Sequence, residues 1–139
     1  MNIAGYRFVD LDDRDELQAM LRSLCLDLGL KGTVLLAPEG INFFLAGNQT
    51  SIEQFTQVLD KDGRFAEIPL KVSYTEYQPF NRMNVRKKNE IISVGQDHIR
   101  PADFTGEELE PRDFKAMLDA GEPVHVLDTR NEYEVRVGT

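Results

Sequence analysis

Residues 32–47 read Gly32-Thr-Val-Leu-Leu-Ala-Pro-Glu-Gly-Ile-Asn-Phe-Phe-Leu-Ala-Gly47, and this stretch decides the fold. Two short apolar runs flank the turn Pro38-Glu39-Gly40. That pattern predicts a β-hairpin. Its glycines match neither a P-loop nor a dinucleotide fingerprint, so the turn is read as a turn and not as a phosphate cradle.

Upstream of the hairpin, residues 3–9 predict a first strand. Asp10 to Asp13 form a polar break, and Asp12 or Asp13 is placed to cap a helix, with Asp15 and Glu16 facing the positive end of its dipole. Leu17, Met20, Leu21, Leu24 and Leu28 then recur at helical spacing, and Gly29 marks the end. Downstream, Asn48 to Ser51 offer another cap, followed by the stripe Ile52, Phe55, Val58 and Leu59. Asp62-Gly63 closes this second helix. Residues 70–77 alternate, with Val72 and Tyr74 on one face, as a fourth strand would, and residues 85–94 suggest a further strand. The order is β-α-β-β-α-β, which predicts an α+β, ferredoxin-like sandwich over residues 1–95. Two helices would cover one face of an antiparallel sheet.

From Gly95 the character changes. Residues 96–110 are polar, acidic and broken by proline and glycine, and read as a linker. Pro111 opens a second unit over residues 111–139. There Phe114, Met117 and Leu118 predict a short helix ended by Gly121, and residues 124–130 predict a buried strand. One helix and one strand bury too little surface to fold alone. This unit is therefore expected either to pack on the first domain or to be part of something longer.

Hydrophobic residues make up 41% of the 139 residues and charged residues 29%, a balance that excludes wholesale disorder. No apolar run is long enough to span a bilayer. The first fifteen residues have neither the basic start nor the apolar core of a signal peptide, and the single cysteine forms no internal disulfide. Both features predict a reduced, cytoplasmic setting without a membrane partner. The net charge is −8, but it is unevenly spread. Residues 71–100 carry six basic and three acidic side chains, between flanks that are both acidic. An acidic total disfavours general nucleic-acid binding, whereas a local basic patch on one face permits it.

That patch is Arg82, Arg86, Lys87 and Lys88, with Phe80 just before it and Tyr74 and Tyr77 upstream. Clustered cations attract phosphates, and aromatic faces stack bases, so these four residues are the candidate RNA contacts. If residues 84–88 are extended, Arg86 and Lys88 share one face and Lys87 takes the other. A solvated turn ahead of a strand is the competing reading. Cys25, between Leu24 and Leu26 inside the first helix, has no base or strong cation nearby and reads as a buried, inert thiol. His98 and His125 lack the neighbours a metal site needs, so no metal and no cofactor is expected. His125, between two valines, reads as structural.

Residues 128–134, Asp-Thr-Arg-Asn-Glu-Tyr-Glu after an apolar run, resemble the early signature of the rhodanese domain. In that signature a strand ends in Asp-x-Arg and a Glu-Tyr pair opens the next helix. Asp128, Arg130, Glu132 and Tyr133 are its matching residues here, and the resemblance implies that they organise the domain structurally. The whole chain carries four motifs in order: residues 32–42, Pro79-Phe-Asn-Arg-Met-Asn-Val-Arg86, Lys88-Asn-Glu-Ile-Ile92, and Leu127 to Val135. Together they are similar to the bacterial tRNA uridine hydroxylase family with a rhodanese domain. The resemblance implies an acylphosphatase-like N-terminal domain ahead of a rhodanese domain. It also implies conversion of the wobble uridine of tRNA to 5-hydroxyuridine, with molecular oxygen consumed. The rhodanese cysteine is expected beyond Thr139, so the chain has no catalytic residue of its own and is expected to be inactive alone. Its partners would be the anticodon region of tRNA and the remainder of its rhodanese domain in cis.

Two other readings compete. One is an interdomain or protein-interaction module without RNA binding. The other is an acylphosphatase, a family that needs an arginine in the loop after strand one and an asparagine on strand two. Leu36 stands where that asparagine should be, and Asp10-Leu-Asp-Asp would repel phosphate.

Overall fold

The hairpin forms as the sequence predicts. In the computed structural model, which describes residues 1–91, 95 and 100–138, strands β2 (Lys31–Ala37) and β3 (Gly40–Ala46) pair antiparallel. Ala37 lies opposite Gly40, so Pro38 and Glu39 make a two-residue turn. Gly32 and Gly40 have φ of +136° and +151°, and a Cβ at either would strike the backbone of the neighbouring strand. Only glycine meets both demands.

β1 (Asn2–Phe8) pairs antiparallel with β3, and β4 (Lys71–Ser73) with β1. β5 (Met83–Lys87) adds to the far edge, parallel to β2. The sheet order is β4-β1-β3-β2-β5. Its first four members have the ferredoxin-like order expected for an α+β sandwich.

Alternation along the strands sends Ile3, Val34, Leu36, Ile41, Phe43, Leu45 and Val85 to one face, where they join a single buried cluster. Helices α1 (Arg14–Asp27) and α2 (Gln49–Asp60) cover that face. They contribute Leu17, Leu21 and Cys25 from the first and Ile52, Phe55 and Leu59 from the second. The rings of Phe43 and Phe55 meet edge to face, with centroids 5.6 Å apart. Each such fully buried side chain contributes about 1.5–3 kcal/mol relative to exposure. α2 begins at Asn48, whose side chain accepts the Ser51 N–H at 2.8 Å.

Several expectations change. Met20, assigned to the stripe of α1, is 43% exposed, and Cys25 occupies the inward position instead. Asp13 stands at the N-cap of α1 but its carboxylate bonds no helix amide. It grips the Arg64 guanidinium at 2.6 and 2.8 Å. The fourth strand is only three residues long, and Val72, Tyr74 and Tyr77 are exposed. The fifth strand runs from Met83 to Lys87 rather than from Val85 onward, so of the basic patch it contains Arg86 and Lys87 and leaves out Lys88. Residues 92–94 of that expectation, and His98, lie outside the described residues.

The chain divides into two compact units at Thr105 and Gly106, inside the expected linker. In the second unit α3 (Pro111–Asp119) forms as predicted, with proline in its first turn and Gly121 at φ +68° just beyond its end. The expected strand over residues 124–130 is not formed, and His125 is exposed rather than structural. The cause is the absence, among the described residues of this unit, of any strand to pair with. Isolated extended backbone leaves its amides and carbonyls to water. α4 (Glu132–Val135) follows, its first turn tied by the Glu134 carboxylate accepting the Asn131 N–H at 2.8 Å.

Candidate nucleic-acid interface

The strands contain Arg7, Lys31, Lys71, Arg86 and Lys87 and no Asp or Glu. Among the described residues every carboxylate lies on helices, turns and connecting segments. A sheet chosen from such a sequence without bias would carry several acids, so the strands form a positive island.

The expected basic patch is split by the pleat of β5. Val85 points into the core, and Met83 and Lys87 share its side. Lys87 ion-pairs there with Asp15 of α1, and the ammonium holds the Asp15 carboxyl below the usual carboxylate range. Asn84 and Arg86 take the opposite, helix-free face. Arg82 and Lys88, just outside the strand, are exposed. Among the described residues no carboxylate pairs with Arg82, Arg86 or Lys88. Within the strand Lys87 thus turns away from Arg86, whereas Lys88, beyond the strand end, lines one surface cavity with Lys87, Asp12 and Asp15.

The helix-free face also carries rings. Tyr6 and Phe8 stand two residues apart on β1, with centroids 5.7 Å apart. Phe44 of β3 is 48% exposed and Tyr6 is 51% exposed. Between β4 and β5, which lie on opposite edges of the sheet, the chain crosses one end. Gln78 donates to the Ala46 carbonyl at 3.2 Å, and Phe80 lays its ring edge to face on Phe44, with centroids 5.1 Å apart. The sequence reading missed Tyr6, Phe8 and Phe44. The signal was present: adjacent Phe43 and Phe44 in a strand must face opposite sides, so only one can enter the core.

The loop after β1 is shaped for a different task from phosphate binding. Its Val9 and Leu11 amides donate to the Glu39 and Pro38 carbonyls, both at 2.9 Å, so they close the hairpin turn. Leu36 is buried in the core. The loop offers the carboxylates of Asp10, Asp12 and Asp13 instead, and Arg64 is held between Asp13 and Asp62.

In the second unit Asp128 and Arg130 form an ion pair at 2.7 Å, and the guanidinium also donates to the Gly138 carbonyl at 2.9 Å. That guanidinium holds the Asp128 carboxyl down to about 2. Glu132 opens α4 and bonds Arg136 at 2.7 Å, while Tyr133 is exposed. Cys25 is fully buried, and desolvation pushes its thiol up to about 12, so it stays protonated and unreactive at neutral pH. Among the described residues no three His, Cys, Asp or Glu gather as a metal site, and no helix is long and apolar enough to cross a membrane.

A family profile described as "UPF0176 acylphosphatase like domain" matches residues 1–91, which contain the whole sheet and both helices that cover it. The chain belongs to this family. Over its full length this UPF0176 chain is 50% identical to a protein of Cupriavidus pinatubonensis (strain JMP 134 / LMG 1197) named tRNA uridine(34) hydroxylase. A protein of Thiobacillus denitrificans (strain ATCC 25259 / T1) with the same name is 45% identical. The chain spans 51% and 58% of these two relatives, about half the length of the curated proteins it matches. Among solved structures, "BlrP1 BLUF" aligns over 63% of this chain and 62% of its own, with a TM-score of 0.50 and 20% identity. That likeness concerns the fold alone.

Proposed function

We propose that this UPF0176 domain is the RNA-positioning part of a tRNA uridine hydroxylase. It would hold the anticodon region of a tRNA while a rhodanese domain carries out the oxygen-dependent formation of 5-hydroxyuridine in the cytoplasm. In this reading residues 1–95 are the ferredoxin-like domain, residues 96–110 connect, and residues 111–139 begin the rhodanese domain. Asp128, Arg130, Glu132 and Tyr133 belong to that domain's framework. The rhodanese cysteine would lie beyond Thr139, and these 139 residues alone would not turn over. The exposed apolar side chains of the second unit, Val126, Leu127 and Tyr133 among them, support a unit completed by further chain in cis.

The observation that carries the proposal is the segregation of charge. The sheet holds cations without acids, and Arg82, Arg86 and Lys88 stand unpaired among the described residues on a chain of net charge −8. A solvated turn has no need to exclude carboxylates from five strands. An RNA-facing surface does, because each acid there would repel phosphate. Titration of the chain with an unmodified anticodon stem-loop at low and moderate salt tests this. The Arg86→Ala/Lys88→Ala variant should weaken binding and lower the salt slope by about two, one for each phosphate that is no longer neutralised. Lys87→Ala should change it less, because that ammonium already serves Asp15. No binding by the wild-type chain would sink the reading and leave an interdomain role.

A further inference from the structure

We infer that the helix-free face of the sheet is a stacking platform for unpaired RNA bases, with Tyr6 and Phe44 as the rings that receive them. This deepens the RNA-positioning reading and rests on it.

Exposed aromatic rings are ordinary when scattered, but two exposed rings on one sheet face, each with a half-buried ring against it, are not scattered. Tyr6, Phe8 and Phe44 sit on the two central strands, and Phe80 is brought to them by the segment that crosses the sheet end. Directly across from the two exposed rings on the paired strands, the residues are small or polar. Ala4 and Thr33 flank Phe44 on the adjacent strands, and Asn42 lies opposite Tyr6. Tyr6 and Phe44 are therefore diagonal neighbours on paired strands, about 7–8 Å apart at the backbone. That leaves room for one base on each ring.

The polar groups beside the rings suit base edges. Asn42 and Asn84 present side-chain amides that no described residue bonds, and each carries donors and an acceptor. The cations stand at the two edges. Lys71 shares a row with Phe44 across Ala4, and Arg86 shares a row with Tyr6 across Asn42 and Leu35. A strand of RNA crossing the face would meet a cation, then rings, then a cation, with no carboxylate on any strand beneath it. Central rings with cationic borders recognise single-stranded RNA, because every base has a stacking face and every nucleotide a phosphate. A protein partner would need apolar or acidic complementarity, and nothing on this face selects it over RNA.

The test compares two probes carrying equal numbers of phosphates, an anticodon stem-loop and a blunt RNA duplex. The wild-type chain should prefer the stem-loop. Tyr6→Leu/Phe44→Leu keeps the apolar bulk but removes the rings. It should lower stem-loop affinity by about tenfold or more and leave duplex affinity unchanged, while Tyr6→Phe keeps the preference. In the wild-type chain the ring-proton resonances of Tyr6 and Phe44 should move upfield when the stem-loop binds, a readout that needs no variant to fold. A leucine variant that keeps the preference, with ring resonances unmoved, overturns the platform while the basic-strand reading stands. Loss of both probes' binding in Arg86→Ala/Lys88→Ala alone reports on that reading and not on the rings. Self-association of the wild-type chain without RNA, abolished by the leucine variant, would assign the face to a second copy and overturn the platform.

Discussion

Two apolar runs that read alike in the sequence end in opposite states. Val34, Leu36 and Ala37 are fully buried in β2, with strands on both sides. Val126 and Leu127 form no strand, and Leu127 is 86% exposed. Both runs have β-forming side chains and both end in a polar turn. The difference lies in what surrounds them. β2 has β3 two residues away and β5 at its other edge, so its amides and carbonyls are satisfied and its side chains join the core beneath α1. Residues 124–127 have none of this among the described residues of their unit. A strand is a property of a sheet, and an apolar pattern gives a strand only where partners are within reach.

Damage to the core of the first unit tests this contrast most severely. Phe55→Ala removes a ring packed edge to face on Phe43 in a fully buried site. It should lower stability by about 3–5 kcal/mol, read from the midpoint of urea unfolding followed by circular dichroism. A loss under about 1 kcal/mol would mean that the helices do not cover the sheet as described.

An intermediate effect separates the two units by their arginines. Arg64 joins Asp13 and Asp62, and the first of these is fifty-one residues away. Its guanidinium hydrogen bonds hold both carboxyls below the usual carboxylate range. A carboxyl whose folded value is depressed contributes stability above its unfolded value of 3.8, and that contribution is lost as pH falls through the folded value. The wild-type chain should therefore exceed Arg64→Met in thermal stability near neutral pH, and the gap should close below about pH 4. Arg130 pairs with Asp128, two residues away, and such a pair forms in the unfolded chain as well, as Asp62 with Arg64 does; the bond that needs the fold is the one to Asp13. Arg130→Met should leave the acid profile unaltered. A gap that persists at low pH would assign the Arg64 contribution to packing on Phe65, over whose ring the guanidinium lies at 5.3 Å.

Much of the first unit was legible because its signals are local. The hairpin has a turn and two apolar runs, α2 has Asn48 and a stripe at helical spacing, and Gly29 and Gly63 punctuate the helices. What was not legible depends on distant pairing. β5 reaches its place by crossing the sheet end to lie parallel to β2, and no local pattern in Met83–Lys87 announces that edge. The shortness of β4 likewise follows from where the chain must leave to make the crossing. The basic patch was visible as composition, but only the register shows Lys87 turned to Asp15 and Arg86 to the open face. The aromatic face was hidden differently. Tyr6 and Phe44 are spaced like core residues, and a ring on the free side of a sheet looks the same in sequence as one on the covered side until the helices are assigned to a face.

Leu127 should give the least change of all. In this chain Leu127→Ser removes a side chain that touches little, so stability should change by no more than about 0.5 kcal/mol. The same substitution in a chain extended to the length of its relatives should behave differently. If residues 111–139 begin a rhodanese domain, the apolar run over residues 124–127 becomes an interior strand there, and truncating Leu127 should cost about 2–5 kcal/mol. Equal, small effects in both chains would show that the run stays outside any core, and the rhodanese reading of the second unit would fall. A large effect already in the shorter chain would mean that Leu127 has found a packing partner without the added length. The contrast with β2 would then be one of degree, because both runs would have acquired the neighbours that turn an apolar pattern into buried structure.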